Sequence, residues 1–241
     1  MPKEQEQQKA KILLWDIEAS NLSADFGITL AFGYKWFSEG EPKVIAISDF
    51  PRFKKDKTDD SAVVRQAYEI LSSADMWVTF YGSRFDVPYM NSRLLYHNIG
   101  VLPPIPHLDL YYQAKKLKLH SYRLGSVGEF LGLPTEKTPL SGPVWIKAIA
   151  GDREAMEYIR EHCARDVALL EEAYQRLRVL TTRHPRVSMT LEPCRVCGGP
   201  VVRRGYSLVV RGEKKRKIRV QCKECGAWET RPASEVADDA V

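Results

Sequence analysis

The stretch KILLWDIEAS, residues 11–20, sets four apolar residues in a row ahead of Asp16 and Glu18, with Ile17 between the two acids. An unbroken apolar run suits a strand covered on both faces, at the centre of a sheet. Side chains two apart on a strand leave the same face, so both carboxylates emerge together. Buried like charges are costly, so such a pair must be ion-paired, protonated or bound to cations. The alternative is a strand end running into solvent, and on these ten residues alone the two readings stand level.

Outward from this strand, ITLAFGYKWF (28–37) and KVIAISDF (43–50) predict two more strands, giving a three-stranded meander. DDSAVVRQAYEILSSA (59–74) has apolar residues at a helical period with Asp and Ser at its start. MWVTFYG (76–82) reads as a fourth strand and RFDVPYMNSRLLYHN (84–98) as the helix after it. Helical patterns recur at LDLYYQAKKLK (108–118) and SVGEFLGL (126–133). The strongest runs from Asp152 to about Leu180, with an apolar stripe at Met156, Ile159, Cys163, Val167, Leu170, Tyr174 and Leu177. Strands first, then strands alternating with helices, predict an α/β fold: a mixed sheet flanked by helices.

Two further acids bear on the opening pair. Asp86, in GSRFDVP, lies at the start of the helix after the fourth strand, where an aspartate is ordinarily an N-cap. Asp166, in EHCARD (161–166), lies at the edge of the long helix's apolar stripe. Taken together, four such carboxylates have a use that none has alone: they can hold two hard divalent cations that activate water for phosphodiester hydrolysis. His162 is four residues before Asp166 on the same helix face. It is either a surface histidine or the group that accepts the water's proton, with Tyr158 one turn back as the competing candidate. Cys163 falls on the stripe and reads as core. Asp109, in HLDL, is a fifth acid, either near the site or supporting the adjacent helix.

WDIEAS (15–20), YGSRFDVPYM (81–90) and EHCARDVALL (161–170) resemble the three motifs of the DEDD 3′-5′ exonuclease superfamily, whose fold is ribonuclease H-like. The resemblance spans about residues 11–180. Within the superfamily it is closest to the YprB-like ribonuclease H-like group, through HLDLYYQAKKL (107–117) and SYRLGSVGEFLGL (121–133). It implies that Asp16, Glu18, Asp86 and Asp166 hold two Mg²⁺ or Mn²⁺ ions, and that a terminal phosphodiester is hydrolysed to release a nucleoside monophosphate. Two features depart from the pattern. Tyr81 and Gly82 occupy the neighbourhood where many relatives carry Asn, and His162 takes a position, with three residues between it and the final Asp, that one branch of relatives fills with Tyr.

Four of the five cysteines form two CxxC pairs, Cys194/Cys197 and Cys222/Cys225, with 24 residues between them. Each second Cys is followed by Gly, the arrangement of two knuckles closing a Cys₄ zinc site, and one structural Zn²⁺ is expected. VVRRGYSLVV (201–210) and KIRVQC (217–222) predict a zinc-ribbon hairpin joined by RGEKKRK. Residues 188–231 carry 11 Lys/Arg against 4 Asp/Glu, while residues 1–187 are nearly balanced. Such a local surplus favours a polyanion. Lys214, Lys215, Arg216 and Lys217 near the hairpin tip, with Tyr206 and Trp228, are therefore candidate nucleic-acid contacts; a solvated solubility loop is the plain alternative.

The expected organisation is a tail at 1–10, a nuclease domain at 11–187, the ribbon at 188–231 and an acidic tail at 232–241. No run reaches the roughly 18 apolar residues of a membrane span, and the first residues lack the apolar core of a secretory signal. The expectation is a cytoplasmic chain that hydrolyses DNA or RNA from a 3′ end with its ribbon assisting binding. A structure-selective ribonuclease H-like endonuclease and a catalytically silent nucleic-acid-binding protein are the alternatives.

Overall fold

A computed structural model describes residues 10–134, 140–181, 184–185, 193–211 and 213–232, with the backbone alone over 206–211 and 213–216. The expected tails and the boundary at 188 fall outside the described residues, except for residues 10 and 232. The chain divides into two compact units, one spanning Lys11–Tyr174 and a C-terminal one beginning at Gln175. No described helix is long and apolar enough to cross a membrane.

In the first unit β1 (Ile12–Ala19), β2 (Thr29–Trp36) and β3 (Lys43–Ala46) form the expected antiparallel meander. A short α1 (Pro51–Lys55) and α2 (Ser61–Ser72) lead to β4 (Met76–Thr79), then α3 (Asp86–Tyr96) and β5 (His107–Asp109). The sheet order is β3-β2-β1-β4-β5, with β4 and β5 parallel to β1. Being central, β1 buries Leu13, Leu14 and Trp15 completely, as its unbroken apolar run requires. The chain continues through α4 (Leu110–Ala114), α5 (Leu124–Phe130) and α6 (Gly142–Ala150) to α7 (Arg153–Leu177).

Two differences from the expected elements have physical causes. LDLYYQAKKLK is not helical throughout: its first residues belong to β5, whose three residues pair with Trp77, Val78 and Thr79. A strand that short carries no period of its own, so only its partner defines it. Asp60 stands at the N-terminus of α2, but its carboxylate makes no cap bond. It accepts Arg93 Nη2 at 2.6 Å and Nε at 2.9 Å, the Thr29 N–H at 2.7 Å, and meets His97 Nε2 at 2.5 Å. A bidentate guanidinium pair sets charge against charge through two bonds where a cap offers one backbone N–H, and it ties α2, α3 and β2 together in the interior.

The seat of α7 depends on β2. Gly33 lies opposite Asp16 in the β1–β2 register, and a methyl group there would come within 2.6 Å of Cys163 Sγ and 3.0 Å of Val167 Cγ2. Its stripe of Met156, Ile159, Cys163, Val167, Leu170 and Tyr174 is buried. Glu171, on the next turn, accepts Lys35 Nζ at 2.5 Å and the Ser38 N–H at 2.8 Å, fixing the helix to the β2 end.

In the C-terminal unit β6 (Val201–Arg211), β7 (Glu213–Cys222) and β8 (Trp228–Pro232) form an antiparallel sheet in that order. The hairpin is tighter than expected, because residues 214–217 lie within β7, opposite 207–210, rather than in a connecting loop. The β8 strand was not signalled by its own sequence; it forms on β7 through Gln221↔Trp228 to Lys217↔Pro232.

Replacing Gly33 by Ala should lower stability by about 1–3 kcal/mol through overpacking under α7. For a chain of this size that is roughly 2–12 °C in the thermal midpoint. A midpoint equal to that of the wild type would show that α7 does not need this close approach.

Candidate active site

Asp16 faces Gly33 and Glu18 faces Ala31 across the β1–β2 pair, so the two acids stand beside the smallest residues of β2, on the side that α7 covers. β4 pairs with β1 over Ile12–Leu14 and ends at Thr79. Beyond that point the Ile17 N–H takes another acceptor, Asp86 Oδ1, at 3.1 Å. Asp86 is the first residue of α3 and 3% exposed; Phe85 takes the cap position without a side-chain bond. Asp86 thus points back at β1 between the other two acids instead of capping its own helix.

Asp109 ends β5 and serves the loop that carries Asp86. Its Oδ1 accepts the N–H groups of Tyr81 at 2.8 Å and Tyr111 at 3.0 Å, and its Oδ2 accepts the Ser83 N–H at 3.1 Å and hydroxyl at 2.5 Å. Four donors occupy this carboxylate, so its role is support. The Asp109–Ser83 anchor was not anticipated from the sequence, although Ser in a GSRFD turn is a local signal for a backbone-bonding side chain. These groups lie at the carboxyl ends of parallel strands β1, β4 and β5, where open α/β sheets place their sites.

From the other side, α7 brings His162 and Asp166. His162 Nε2 lies 3.7 Å from Glu18 Oε1 and 3.6 Å from Asp166 Oδ2. Cys163, between them in sequence, is fully buried, with Sγ 4.0 Å from the Asp16 carbonyl. Its thiol is pushed up by burial and then by the surrounding carboxylates, so it remains a neutral core group.

The electrostatics follow from this crowding. Asp16 is raised well above the ordinary range by burial, and further by Asp86, Glu18 and Asp166. Glu18 is raised by burial, then by Asp166 and Asp86. Asp86 is pushed up to about 7, by burial foremost, against the lowering effect of the Ile17 N–H. Asp166 is raised by burial, with His162 acting in the opposite direction. Four mutually repelling carboxylates are held where each prefers a proton or a cation.

Two groups of potential metal ligands occur here, Asp16–Glu18–Cys163 and Glu18–His162–Asp166, each with donor atoms within 4.8 Å of one another. Each group holds two carboxylates, oxygen donors of the kind a hard divalent cation takes, and Asp86 belongs to neither group. In the C-terminal unit Cys194, Cys197, Cys222 and Cys225 form a third group. Cys194 Sγ and Cys225 Sγ are 3.7 Å apart, Cys197 Sγ and Cys222 Sγ 3.5 Å. Both separations are far above a disulfide bond and close to the roughly 3.8 Å edge of a tetrahedron with about 2.3 Å metal–sulfur bonds. Gly198 and Gly226, one after each second Cys, adopt φ of 77° and 73°, the left-handed turn a knuckle needs. The cluster fits a zinc ribbon. Of the basic residues expected to touch nucleic acid, Lys217 is partly buried in β7, and the side chains of Lys214, Lys215, Arg216 and Tyr206 lie outside the described ones. Trp228 is 55% exposed.

No curated protein matches the chain in sequence. Among solved structures, the family B DNA polymerase of the hyperthermophilic archaeon Pyrobaculum calidifontis is similar, with a TM-score of 0.55 and 17% identity over 73% of this chain and 26% of the polymerase. The chain therefore corresponds to about a quarter of that protein, and at this identity the likeness is one of fold. Residues 13–178, which contain all but the first residue of the mixed sheet and all four clustered carboxylates, match the model of the RNase H superfamily. That match covers well over half of the sequence and supports a nuclease-type function: the chain belongs to the RNase H superfamily.

Proposed function

We propose that this chain is a metal-dependent 3′-5′ exonuclease that hydrolyses phosphodiester bonds of DNA or RNA by a two-metal-ion mechanism. The observation that carries the reading is the convergence of Asp16, Glu18, Asp86 and Asp166 from three separate elements onto one spot, each raised by burial. The 3′-5′ polarity rests on the resemblance of the three motifs to the DEDD superfamily. The four carboxylates would hold two Mg²⁺ or Mn²⁺ ions. When bound, such a pair supplies charge that activates water and stabilises the leaving oxygen. His162 would take the proton released by that water, since its Nε2 already stands within 4 Å of both Glu18 and Asp166. Asp109 and Ser83 hold the turn that keeps Asp86 aimed at β1. The Cys₄ cluster would bind one structural Zn²⁺, and the basic ribbon would add phosphate contacts.

Asp16→Asn should lower Mg²⁺-dependent shortening of a 3′-labelled oligonucleotide by roughly 1,000-fold or more while binding persists; activity equal to wild type would sink the site. In the same assay a circular single strand should survive, and its efficient cutting would identify an endonuclease.

A second expectation concerns pH. Carboxylates raised in the folded state make it bind protons more tightly than the unfolded chain, so their contribution to stability is present at low pH and is lost as pH rises from about 4 towards about 7. Millimolar Mg²⁺ or Mn²⁺ should then raise the melting midpoint more at about pH 8 than at about pH 5.5. Metal-free Asp16→Asn should melt higher than wild type at the upper pH. An equal shift at both pH values would contradict a cation-requiring cluster.

For the ribbon, elemental analysis should find one zinc per chain, lost in Cys194→Ser. A disulfide in mass spectra of the native protein would overturn that assignment.

A further inference from the structure

Beside the carboxylates, the turn after β4 and the segment from Tyr111 to Tyr122 bring together rings and cations that the site chemistry does not use. Tyr81 and Tyr111 meet edge-to-face at 4.8 Å, Tyr111 and Tyr112 at 5.5 Å, and Tyr111 and Tyr122 at 6.4 Å. Tyr111 is the half-buried centre, whereas Tyr81 and Tyr112 are 46% and 42% exposed. Lys115 Nζ lies 5.6 Å from the Tyr111 ring centre and 5.9 Å from that of Tyr122. Arg84 Nε donates to the Tyr112 hydroxyl at 3.2 Å.

Two observations say that this cluster is more than surface. Tyr81 is held at φ 68°, a left-handed conformation unfavourable for a bulky L-residue, and Asp109 fixes it there through the Tyr81 N–H. Strain of this kind persists where the surroundings impose it, commonly at ligand sites. Asp109 also accepts the N–H groups of Tyr111 and of Ser83, three residues before Asp86, so one carboxylate sets both rings and the turn between them and Asp86. The rings are thereby locked to the loop that carries Asp86.

We propose that Tyr81, Tyr111, Tyr112 and Tyr122, with Arg84 and Lys115, form a platform that binds a single-stranded segment of nucleic acid next to the carboxylate cluster. The chemistry favours a single strand over a duplex. Exposed rings can stack only on bases that are not already stacked and paired in a helix, and the two cations match the phosphates of the same strand. Stacking is tolerant of base identity, so the platform selects strandedness rather than sequence. The inference rests on the nuclease reading for its role but not for its test.

Binding of a labelled oligothymidylate, and of a blunt duplex of equal length, is measured by anisotropy with Ca²⁺ in place of Mg²⁺. Hydrolysis of thymidine 5′-(p-nitrophenyl) phosphate is followed separately with Mg²⁺ or Mn²⁺. Wild type should prefer the single strand. Tyr81→Gly and Tyr112→Ala should each weaken single-strand binding by about 10- to 100-fold with duplex binding unchanged, and Tyr112→Ala should leave hydrolysis of the small diester as in wild type. Lys115→Ala should flatten the dependence of log affinity on log salt by about 0.7. Tyr81→Gly suits the left-handed position, so loss of binding with an unchanged melting midpoint excludes misfolding as the cause. Single-strand affinity within about twofold of wild type, or an equal loss for the duplex, would overturn the platform. If wild type binds as expected but leaves the small diester intact, the platform stands and the nuclease reading falls.

Discussion

The structure of the first unit depends on one close approach, the packing of α7 against the β1–β2 pair at Gly33. Where β2 carries Gly33 and Ala31, the helix comes near enough for Cys163 to reach the Asp16 carbonyl. That distance places Asp166 and His162 beside Glu18. A larger residue at position 33 would lift the helix and spread the acids. The apolar stripe around Cys163 does the holding, because the acids themselves repel one another. Stability supplied by packing is thus set against electrostatic repulsion at the site, a common trade between stability and function.

Three aspartates near helix starts look alike in the sequence, and the structure uses them in three ways. Asp60 meets Arg93 and His97 and serves the interior. Asp109 collects four donors, capping α4 through the Tyr111 N–H and bracing the preceding loop through Tyr81 and Ser83. Asp86 receives the Ile17 N–H on Oδ1 and retains coordination capacity among like charges. Local preference for acids at helix N-termini is the same in each case. What separates them is the long-range partner, 33, 26 or 69 residues away. Such distances cannot be read from neighbouring residues.

The same distinction explains what was legible elsewhere. The α7 helix announces itself because its stripe repeats over 25 residues, enough to define a period, and β1 because its apolar run of four ends in two acids set two apart. The β5 and β8 strands, of three and five residues, exist through pairing with β4 and β7. The α6 helix was also missed: its apolar residues run almost continuously in GPVWIKAIA, so no face stands out. The site was legible as four acids on predicted elements; the supporting Asp109–Ser83 anchor and the aromatic cluster needed the fold.

His162 shows how position and chemistry combine. Its spacing from Asp166 is that of a tyrosine in related motifs, yet the geometry gives it a setting that suits an imidazole. Its Nε2 stands between two carboxylates, each raised by burial and therefore a reluctant anion. An imidazole offers a ring nitrogen that can donate or accept a hydrogen bond between these two acids. A phenol could donate a hydrogen bond at this place but would carry no positive charge. Under the proposed nuclease reading, a histidine where related motifs carry tyrosine would add a proton acceptor at a place that a phenol could serve only by orienting water.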